Sequence, residues 1–321
     1  MNTNTVHIGV DMAEDSFDAA LPAGILHLSN TAAGFRALLR DVRKLDRDVC
    51  VYVEATGGCE QQMCNFLLTQ GIAVAKVNPK RVRDFAHGLG KLAKTDPIDA
   101  AVIGEYGRQA RPRCLAPEPA YQRSLSAMVR RRDQITDLIT AESNRLGRCH
   151  DSGVKKSLAS SCRHLKRLQE CMEKAIRTLV AEHADLMQRQ KCLTQVDGVG
   201  DTTACAVLAF APELGTLSRN EAAALVGVAP YNRDSGKFKG HRMIAGGRPE
   251  ARRHLYMASL SASRRNHVLA PFYQRLVKAG KPKKLALTGV MRKLVVYLNH
   301  LLRKLNDQIA SLSACSPAAT A

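Results

Sequence analysis

The sequence predicts three consecutive regions: an α/β domain at the N-terminus, a helical connector and a mostly α-helical C-terminal domain. Strand and helix patterns alternate over the first 110 residues, helical spacing continues from Tyr121 to Lys191, and the remainder is mostly helical. The chain has 321 residues, of which 45% are hydrophobic, which is enough for two domains with packed cores. We place the regions at 1–115, 116–190 and 191–309, followed by a disordered tail at 310–321.

The N-terminal region contains five strand patterns separated by turns and helical segments. They cover Val6–Val10, Ser16–Leu21, Ile25–Leu28, Val49–Glu54 and Ile72–Val77. Helical spacing follows the third strand at Phe35–Leu45 and the fourth strand around Phe66–Leu68, and a further helix begins at Asp96. Three early strands followed by helix, strand, helix, strand and helix is the order of the RNase H-like fold, although other α/β folds share parts of it.

The connector has two long amphipathic stripes on either side of the turn Asp151-Ser152-Gly153. The first stripe consists of Leu125, Met128, Val129, Ile135, Leu138, Ile139 and Leu146, and the second of Leu158, Leu165, Leu168, Met172, Ile176 and Leu179. Two such helices form either an antiparallel hairpin within one chain or a coiled coil between two chains. The sequence leaves both alternatives open.

The positive charge of the chain is confined to its C-terminal part. Residues 1–120 carry 14 basic and 14 acidic residues, whereas residues 121–321 carry 34 basic and 15 acidic residues, which accounts for the whole net charge of +19. This asymmetry indicates that a nucleic acid binds the C-terminal part. The alternative is a basic face that only keeps the protein in solution.

Zinc-finger, secreted and membrane-spanning proteins are not indicated. The ten cysteines have neither CxxC pairs nor the Cys/His spacing of a zinc site, which is typical of reduced thiols in a cytoplasmic protein. The first residues lack the basic and apolar regions of a secretory signal. The longest apolar stretch, Leu285–Leu302, is interrupted by Arg292, Lys293, Asn299 and His300, so we expect no membrane span.

Two carboxylates follow apolar strand patterns near the N-terminus. Asp11 follows Ile8-Gly9-Val10, and Glu54 ends the run from Val49. A carboxylate at a strand end is costly to desolvate unless a cation neutralises it, and Mg²⁺ prefers such oxygen ligands. Gly9 permits a phosphate or another backbone segment to approach closely. The neighbouring acids, which we expect to be solvated, are Glu14, Asp15 and Asp18.

Asp96 and Asp99 lie at the start of a predicted helix. Pro97 suits the first helical position, Asp96 is a natural N-cap, and Asp99 falls on the same side of the helix. Read alone, the two acids only cap the helix, which is worth about 1 kcal/mol. Together with Asp11 and Glu54 they predict a four-acid Mg²⁺ site for phosphodiester chemistry.

Three groups of C-terminal residues predict contacts with nucleic acid. Gly198 and Gly200 lie in a helix–hairpin–helix pattern that leaves backbone N–H groups free for a phosphate, although a packed turn has the same pattern. The loop 232–242 places Ser235 among cations, so that this serine is either a nucleophile or a phosphate donor. The cations of this loop are Arg233, Lys237, Lys239 and Arg242, and the helical cations include Arg252 and Arg253.

These ordered motifs resemble the DEDD-type insertion-sequence transposases, which are related to the Piv and MooV DNA invertases in insertion-sequence family one hundred and ten. The resemblance is carried by Ile8-Gly9-Val10-Asp11, Val53-Glu54-Ala55-Thr56-Gly57, Lys94-Thr95-Asp96-Pro97-Ile98-Asp99-Ala100, Asp197-Gly198-Val199-Gly200 and Ser235-Gly236. It implies a RuvC-like N-terminal domain, a coiled-coil connector and a C-terminal transposase domain. It also implies a Mg²⁺-binding tetrad of Asp11, Glu54, Asp96 and Asp99, and Ser235 as the nucleophile.

The resemblance further implies recombination guided by a structured non-coding RNA, in oligomers where the tetrad of one protomer meets the serine of another. We therefore predict a Mg²⁺-dependent DNA recombinase of the transposase class that acts on element-end and target DNA. One alternative is a RuvC-like junction resolvase in which water attacks and Ser235 is a bystander. A second is a nucleic-acid-binding protein in which the acids have no catalytic role.

Overall fold

The computed structural model describes residues 5–90, 96–232, 240 and 242–314, and for residues 96–98 and 313–314 it describes the backbone only. The chain divides into two compact units, Met1–Pro119 and Ala120–Ala321. Unit 1 is an α/β structure built on one mixed sheet, and unit 2 is mostly helical. The coarse fold class predicted from the sequence is thereby confirmed.

Unit 1 contains a five-stranded sheet with the strand order β3-β2-β1-β4-β5. The strands are β1 (Val6–Met12), β2 (Ser16–Leu21), β3 (Gly24–Ser29), β4 (Val49–Glu54) and β5 (Ala73–Val77), and the helices are α1 (Ala32–Arg43), α2 (Gln61–Thr69), α3 (Pro79–Gly88) and α4 (Asp96–Ala110). The first three strands are antiparallel, and β4 and β5 run parallel to β1. The predicted order of elements is confirmed for all five strands.

Each face of the sheet buries a different set of side chains, because successive residues of a strand point to opposite faces. Ile8, Val10 and Met12 pack with Phe35 and other residues of the α1 side. The opposite face of β4 packs with α4, and this smaller core contains Cys50, Tyr52, Ala75, Val77, Val82, Val102 and Ile103. Asp11 and Glu54 belong to the α4 face.

Two glycines allow α4 to lie directly on β1. A Cβ atom at Gly9 would collide with the carbonyl oxygen of Ala100 and with the backbone of Gly104. A Cβ atom at Gly104 would in turn lie 2.9 Å from the backbone nitrogen of Gly9. The close approach predicted at Gly9 is therefore made by the backbone of α4. It brings the first turn of that helix beside the end of β1.

Unit 2 contains a helical hairpin followed by a bundle of shorter helices and one long terminal helix. The elements are α5 (Ala120–Arg148), α6 (Ser152–Glu182), α7 (Ala184–Thr194), α8 (Asp201–Phe210), α9 (Arg219–Val226), β6 (Pro230–Tyr231), β7 (Met243–Ile244), α10 (Pro249–Arg265), α11 (Leu269–Lys278) and α12 (Lys283–Ala314). The helical prediction is confirmed here, whereas the antiparallel ribbon β6–β7 was not predicted.

Helices α5 and α6 pack against each other as an antiparallel hairpin within this chain. Gln169 donates a hydrogen bond of 2.9 Å to Thr136 Oγ1. Two helical turns nearer the tip, Ser143 contacts Cys162. The sequence numbers of the facing residues add to a constant value, as antiparallel packing requires. Asp151 caps α6 by accepting a hydrogen bond of 2.8 Å from the backbone N–H of Val154.

The long helix α12 is a core element of unit 2. Of the described residues, only its stretch Lys283–Leu312 has the length and apolar composition of a membrane span. Val290, Leu294 and Leu298 are fully buried in the core, and Asn299 bonds to the backbone of the loop before α9. Burial in the protein accounts for the apolar composition of this helix.

The C-terminal boundary of the helical part differs from the prediction. α12 continues to Ala314, so residues 310–314 are helical where a disordered tail was expected. The segment is rich in Ala, Ser and Leu, and the first helix-breaking residue after it is Pro317. Residues 315–321 lie outside the described part of the chain.

Candidate active site

The pairing of β1 with β4 brings Asp11 and Glu54 side by side. The two strands are parallel and their last aligned pair is Val10 with Val53, so the next residue of each strand is a carboxylate. Parallel neighbours in register have side chains on the same face of a sheet. Both carboxylates therefore lie on the α4 face, at the carboxyl ends of adjacent strands.

Asp99 joins these two residues because α4 packs on β1. One pocket of about 360 Å³ is lined by Asp11, Glu54 and Asp99 together. Asp99 directly precedes Ala100, whose carbonyl oxygen lies against Gly9. Asp96 begins α4 one turn earlier, and its side chain lies outside the described atoms. Three of the four predicted acids thus line a single pocket.

Asp18 also faces this pocket, and the expectation that it is solvated is wrong. It lies in β2 directly opposite Asp11, is only 8% exposed, and is hydrogen-bonded to His27 of β3 at 2.7 Å. The register across the sheet places Glu54, Asp11, Asp18 and His27 in one row over four strands. Carboxylates directly opposite each other are unfavourable. This row therefore favours a cation in the pocket.

Two polar side chains fix the loops that leave β1 and β4. The amide of Asn30 donates to the carbonyl oxygens of Ala13 and Glu14 after β1, and to that of Cys59 after β4. Glu60 accepts hydrogen bonds of 2.9 Å from the backbone N–H of Gly58 and from Lys76. These contacts hold the exits of the two acid-bearing strands.

The pKa of Glu60 reflects this buried ion pair. Burial alone would raise the pKa of Glu60, but the hydrogen bond from Lys76 and those from backbone N–H groups outweigh it and leave the pKa below its usual value. Glu60 is therefore charged at neutral pH. Its role is to hold the loop rather than to exchange protons.

The donor set of the pocket suits Mg²⁺, although it is not a preassembled cage. Among the residues whose side chains are described, no three His, Cys, Asp or Glu side chains converge closely enough to hold a metal ion by themselves. Mg²⁺ keeps several waters and is commonly bound by one or two carboxylates plus substrate phosphates. The hard oxygen donors of Asp11, Glu54 and Asp99 at one pocket fit this mode of binding.

Two family models match the chain, the first over unit 1 and helix α5 and the second from α7 to α11. Residues 8–152 match a model described as a transposase of the DEDD and IS110 type, and residues 190–274 match the model of the transposase IS116/IS110/IS902 family. The chain belongs to the IS110 family of transposases. It is therefore a DNA transposase or recombinase enzyme.

Two relatives extend this similarity over nearly the whole transposase. The pilin gene-inverting proteins of Moraxella bovis and Moraxella lacunata are each 25% identical to it over 312 residues. The alignment covers 93% of this chain and 96% of each relative. These relatives are named for the inversion of a pilin gene.

The glycines of the helix–hairpin–helix pattern have different surroundings in this transposase. Gly198 has a φ of 101°, and a Cβ atom there would lie 2.7 Å from Ala262 of α10. Gly200 is the N-cap residue of α8, has a φ of −90°, and faces open space. Gly198 is thus required by packing, whereas the predicted phosphate contact fits Gly200 and the N–H groups that follow it.

The predicted basic contacts of the transposase lie in several environments. Arg252 donates a hydrogen bond of 2.7 Å to the carbonyl oxygen of Gly246, and Arg253 pairs with Asp137. Arg242 is exposed beside β7. As phosphate contacts, these three arginines stay predictions. Ser235, Arg233, Lys237 and Lys239 lie outside the described residues, between β6 and β7 in the sequence.

Unit 2 contains a pocket of its own, in which Arg132 and His254 both bond to Asp133. The pocket has about 670 Å³ and is lined by Arg132, Asp133 and His254, together with Arg253. Asp133 accepts hydrogen bonds from Arg132 at 2.6 Å and from His254 at 2.7 Å. Burial alone would raise the pKa of Asp133, but these two hydrogen bonds outweigh it and lower the pKa.

Sequence reasoning missed several polar residues that line the acidic pocket. Thr56 follows β4, and Arg83 and His87 lie four residues apart on α3. The pocket-lining residues Pro79, Val82, Arg83, Ala86 and His87 have the spacing of a single helical face. That spacing is visible in the sequence, but which strand end the face of α3 covers depends on the packing.

Proposed function

We propose that this transposase breaks and rejoins DNA strands with Ser235 as the nucleophile and a Mg²⁺ ion held by Asp11, Glu54, Asp96 and Asp99. The observation that carries the proposal is that three of these acids line one pocket at the carboxyl ends of β1 and β4. The strand order β3-β2-β1-β4-β5 supports the assignment of unit 1 to the RNase H-like, RuvC-like fold.

The chemical step conserves the energy of the phosphodiester bond. Ser235 Oγ attacks a DNA phosphorus atom, the Oγ–P bond forms, and the bond from phosphorus to the 3′ oxygen breaks. The proton of the serine hydroxyl is lost and the leaving oxygen becomes a 3′-hydroxyl. A 3′-hydroxyl of the partner strand then attacks the phosphoserine, reseals the backbone and releases the serine. When bound, Mg²⁺ polarises a phosphoryl oxygen and stabilises the charge of the leaving group.

The partners in this proposal are element-end DNA, target DNA and a structured guide RNA. The whole excess of positive charge lies in residues 121–321, which supports binding of nucleic acid to that part. The protein acts as a homo-oligomer, a dimer or a tetramer, in the bacterial cytoplasm at the nucleoid. Its functional divisions are a RuvC-like domain at 1–115, a connector at 116–190 and a transposase domain at 191–309.

A covalent-trapping experiment tests the proposal. Wild-type protein purified with its co-expressed RNA is incubated with Mg²⁺ and element-end DNA beside Ser235→Ala and Asp11→Ala, and the products are separated on a denaturing gel. We expect a protein–DNA adduct in the wild type that both substitutions remove. Cleavage without an adduct that survives Ser235→Ala but not Asp11→Ala would leave a water-using junction nuclease.

A further inference from the structure

Thr56 presents a hydroxyl group that lacks a hydrogen-bond partner in the acidic pocket. Its Oγ1 atom is buried, and within the described part of the chain no group bonds to it. Thr56 lines the same pocket as Asp11 and Glu54 and is two residues from Glu54 in sequence. Buried polar groups in folded proteins nearly always have a partner, so an exception at a pocket calls for a ligand there.

Arg83 provides a second, independent observation on the wall of the same pocket. It lies on the face of α3 that lines the pocket, and it is exposed. By contrast, Lys80 of the same helix is paired with Asp84 at 3.1 Å. No ion pair or hydrogen bond of the Arg83 side chain occurs within the described residues, although four carboxylates line the same pocket.

We infer that Thr56 and Arg83 bind the phosphate of the scissile DNA strand, as positioning residues opposite the acids. This inference rests on the proposed function, because it names the part of that site that holds the substrate. The hydroxyl of Thr56 donates to one non-bridging phosphate oxygen, and the guanidinium of Arg83 donates to the phosphate from the α3 wall. The carboxylates of the pocket face the metal ion.

Electrostatics explains why such donors are needed. Carboxylates accept hydrogen bonds only and repel a phosphate, so the acids alone cannot bind the substrate. A guanidinium is a fixed cation with donors in one plane, which suits phosphate oxygens. A buried hydroxyl is already stripped of water, so donation to a charged oxygen costs no further desolvation of the hydroxyl.

The test uses the full-length protein, thymidine 3′,5′-bisphosphate as the probe, and Ca²⁺ in place of Mg²⁺. Binding is measured by isothermal titration calorimetry with Ca²⁺ and with EDTA, and the difference is the metal-dependent part. We expect Thr56→Val and Arg83→Gln each to weaken the metal-dependent affinity for the bisphosphate by about 10-fold or more. Thr56→Ser restores the hydroxyl and should bind the probe as the wild type does.

Arg81→Gln is the matched control for the loss of one positive charge. Arg81 is exposed on the same helix but does not line the pocket, so this variant should bind the bisphosphate normally. Thermal unfolding of each variant distinguishes a binding defect from misfolding. Thr56→Val removes an unsatisfied hydroxyl, so its melting temperature should equal or exceed that of the wild type.

Failure of this inference is distinguishable from failure of the proposed function. If Asp11→Asn abolishes the metal-dependent binding while Thr56→Val and Arg83→Gln bind normally, the phosphate contacts are overturned and the acidic metal site stands. If Arg81→Gln weakens binding as much as Arg83→Gln, Arg83 acts only through general charge, which overturns its part. If wild type and Asp11→Asn show no metal-dependent binding, both proposals fall.

Discussion

The pockets of unit 1 and unit 2 both contain several ionic side chains, but these side chains have different partners. In unit 2, Asp133 is hydrogen-bonded to Arg132 and His254, and Arg253 is paired with Asp137. In unit 1, the hydroxyl of Thr56 is unpartnered within the described residues, and a row of acids crosses the sheet. Asp133, Arg132 and His254 of the unit 2 pocket are partners of one another, whereas the Thr56 hydroxyl of the unit 1 pocket has no partner among the described residues.

We expect the charges of unit 2 to stabilise the fold and those of unit 1 to act on a ligand. Removing one partner of a buried ion pair destabilises the folded protein, because the charge of the other partner is left uncompensated. An ionic group kept for a ligand contributes little to folding, and its removal often leaves stability unchanged or higher. Four predictions test this division, in order of decreasing effect.

Asp11→Asn tests the ligand side and should have the largest effect. We expect adduct formation to fall about 1,000-fold, equivalent to about 4 kcal/mol, because the variant removes the charge of one proposed metal ligand at unchanged size. The melting temperature should not fall. The rate is measured from the covalent product on denaturing gels, and normal adduct formation by a folded Asp11→Asn protein would contradict the assignment.

Asp133→Ala tests the folding side. Arg132 keeps only 4% side-chain exposure and would lose its carboxylate partner, so we expect a loss of about 3 kcal/mol in the free energy of unfolding. The control is Asp137→Ala, which breaks an exposed pair with Arg253 and should cost less than about 1 kcal/mol. Urea denaturation measures both, and equal losses would remove the distinction between the two pairs.

Substitutions of two glycines test the turn before α8. Gly198→Ala should cost about 2 kcal/mol, because its positive φ and its contact with Ala262 both oppose a side chain. Gly200→Ala meets open space and should cost less than about 1 kcal/mol. If Gly200 adjoins a nucleic-acid phosphate, its variant alone should combine normal stability with weaker binding of a DNA oligonucleotide.

The pH dependence of stability tests the ion pairs of Glu60 and Asp133. Folding lowers the pKa of both carboxyls. Their contribution to the free energy of unfolding is therefore fully present above the pKa values of the unfolded chain, about 4, and is lost as the pH falls through the pKa values of the folded protein. The wild type should therefore lose stability below about pH 4. Asp133→Asn should reduce this acid-dependent loss by about 1 kcal/mol, as measured by urea denaturation between about pH 3 and pH 7. An unchanged acid slope in this variant would show that Asp133 is not part of the effect.

Local patterns in the sequence were sufficient for the five strands of unit 1 and for the positions of Asp11 and Glu54 near two strand ends. Alternation marks the strands, and Asp11 and Glu54 stand out as the first polar residues after apolar runs. The position of Asp18 could not be predicted, since its burial depends on pairing with β1 and on His27 of β3. Such register is a property of neighbouring strands rather than of one segment.

The spacing of cationic residues did not indicate which of them have partners within the protein. Arg252 and Arg253 lie on a helix at positions typical of a phosphate-binding face, but the structure pairs both with groups of the protein. Arg83 lies in the N-terminal region, whose net charge is zero, so the charge asymmetry of the chain does not indicate it as a nucleic-acid contact. A single sequence does not reveal which cations are consumed by internal partners.

The length of the antiparallel hairpin of unit 2 determines how far its tip extends. Its helices have 29 and 31 residues, and beyond Ile135 on α5 and before Cys162 on α6 no described residue is buried. The stability of its outer part therefore depends only on the contacts between the two helices. Matched removal of about seven residues from each helix would preserve the facing pairs and shorten the reach of the tip by about 10 Å. The reach of the tip therefore depends on the number of residues in the two helices rather than on the chemistry of their side chains.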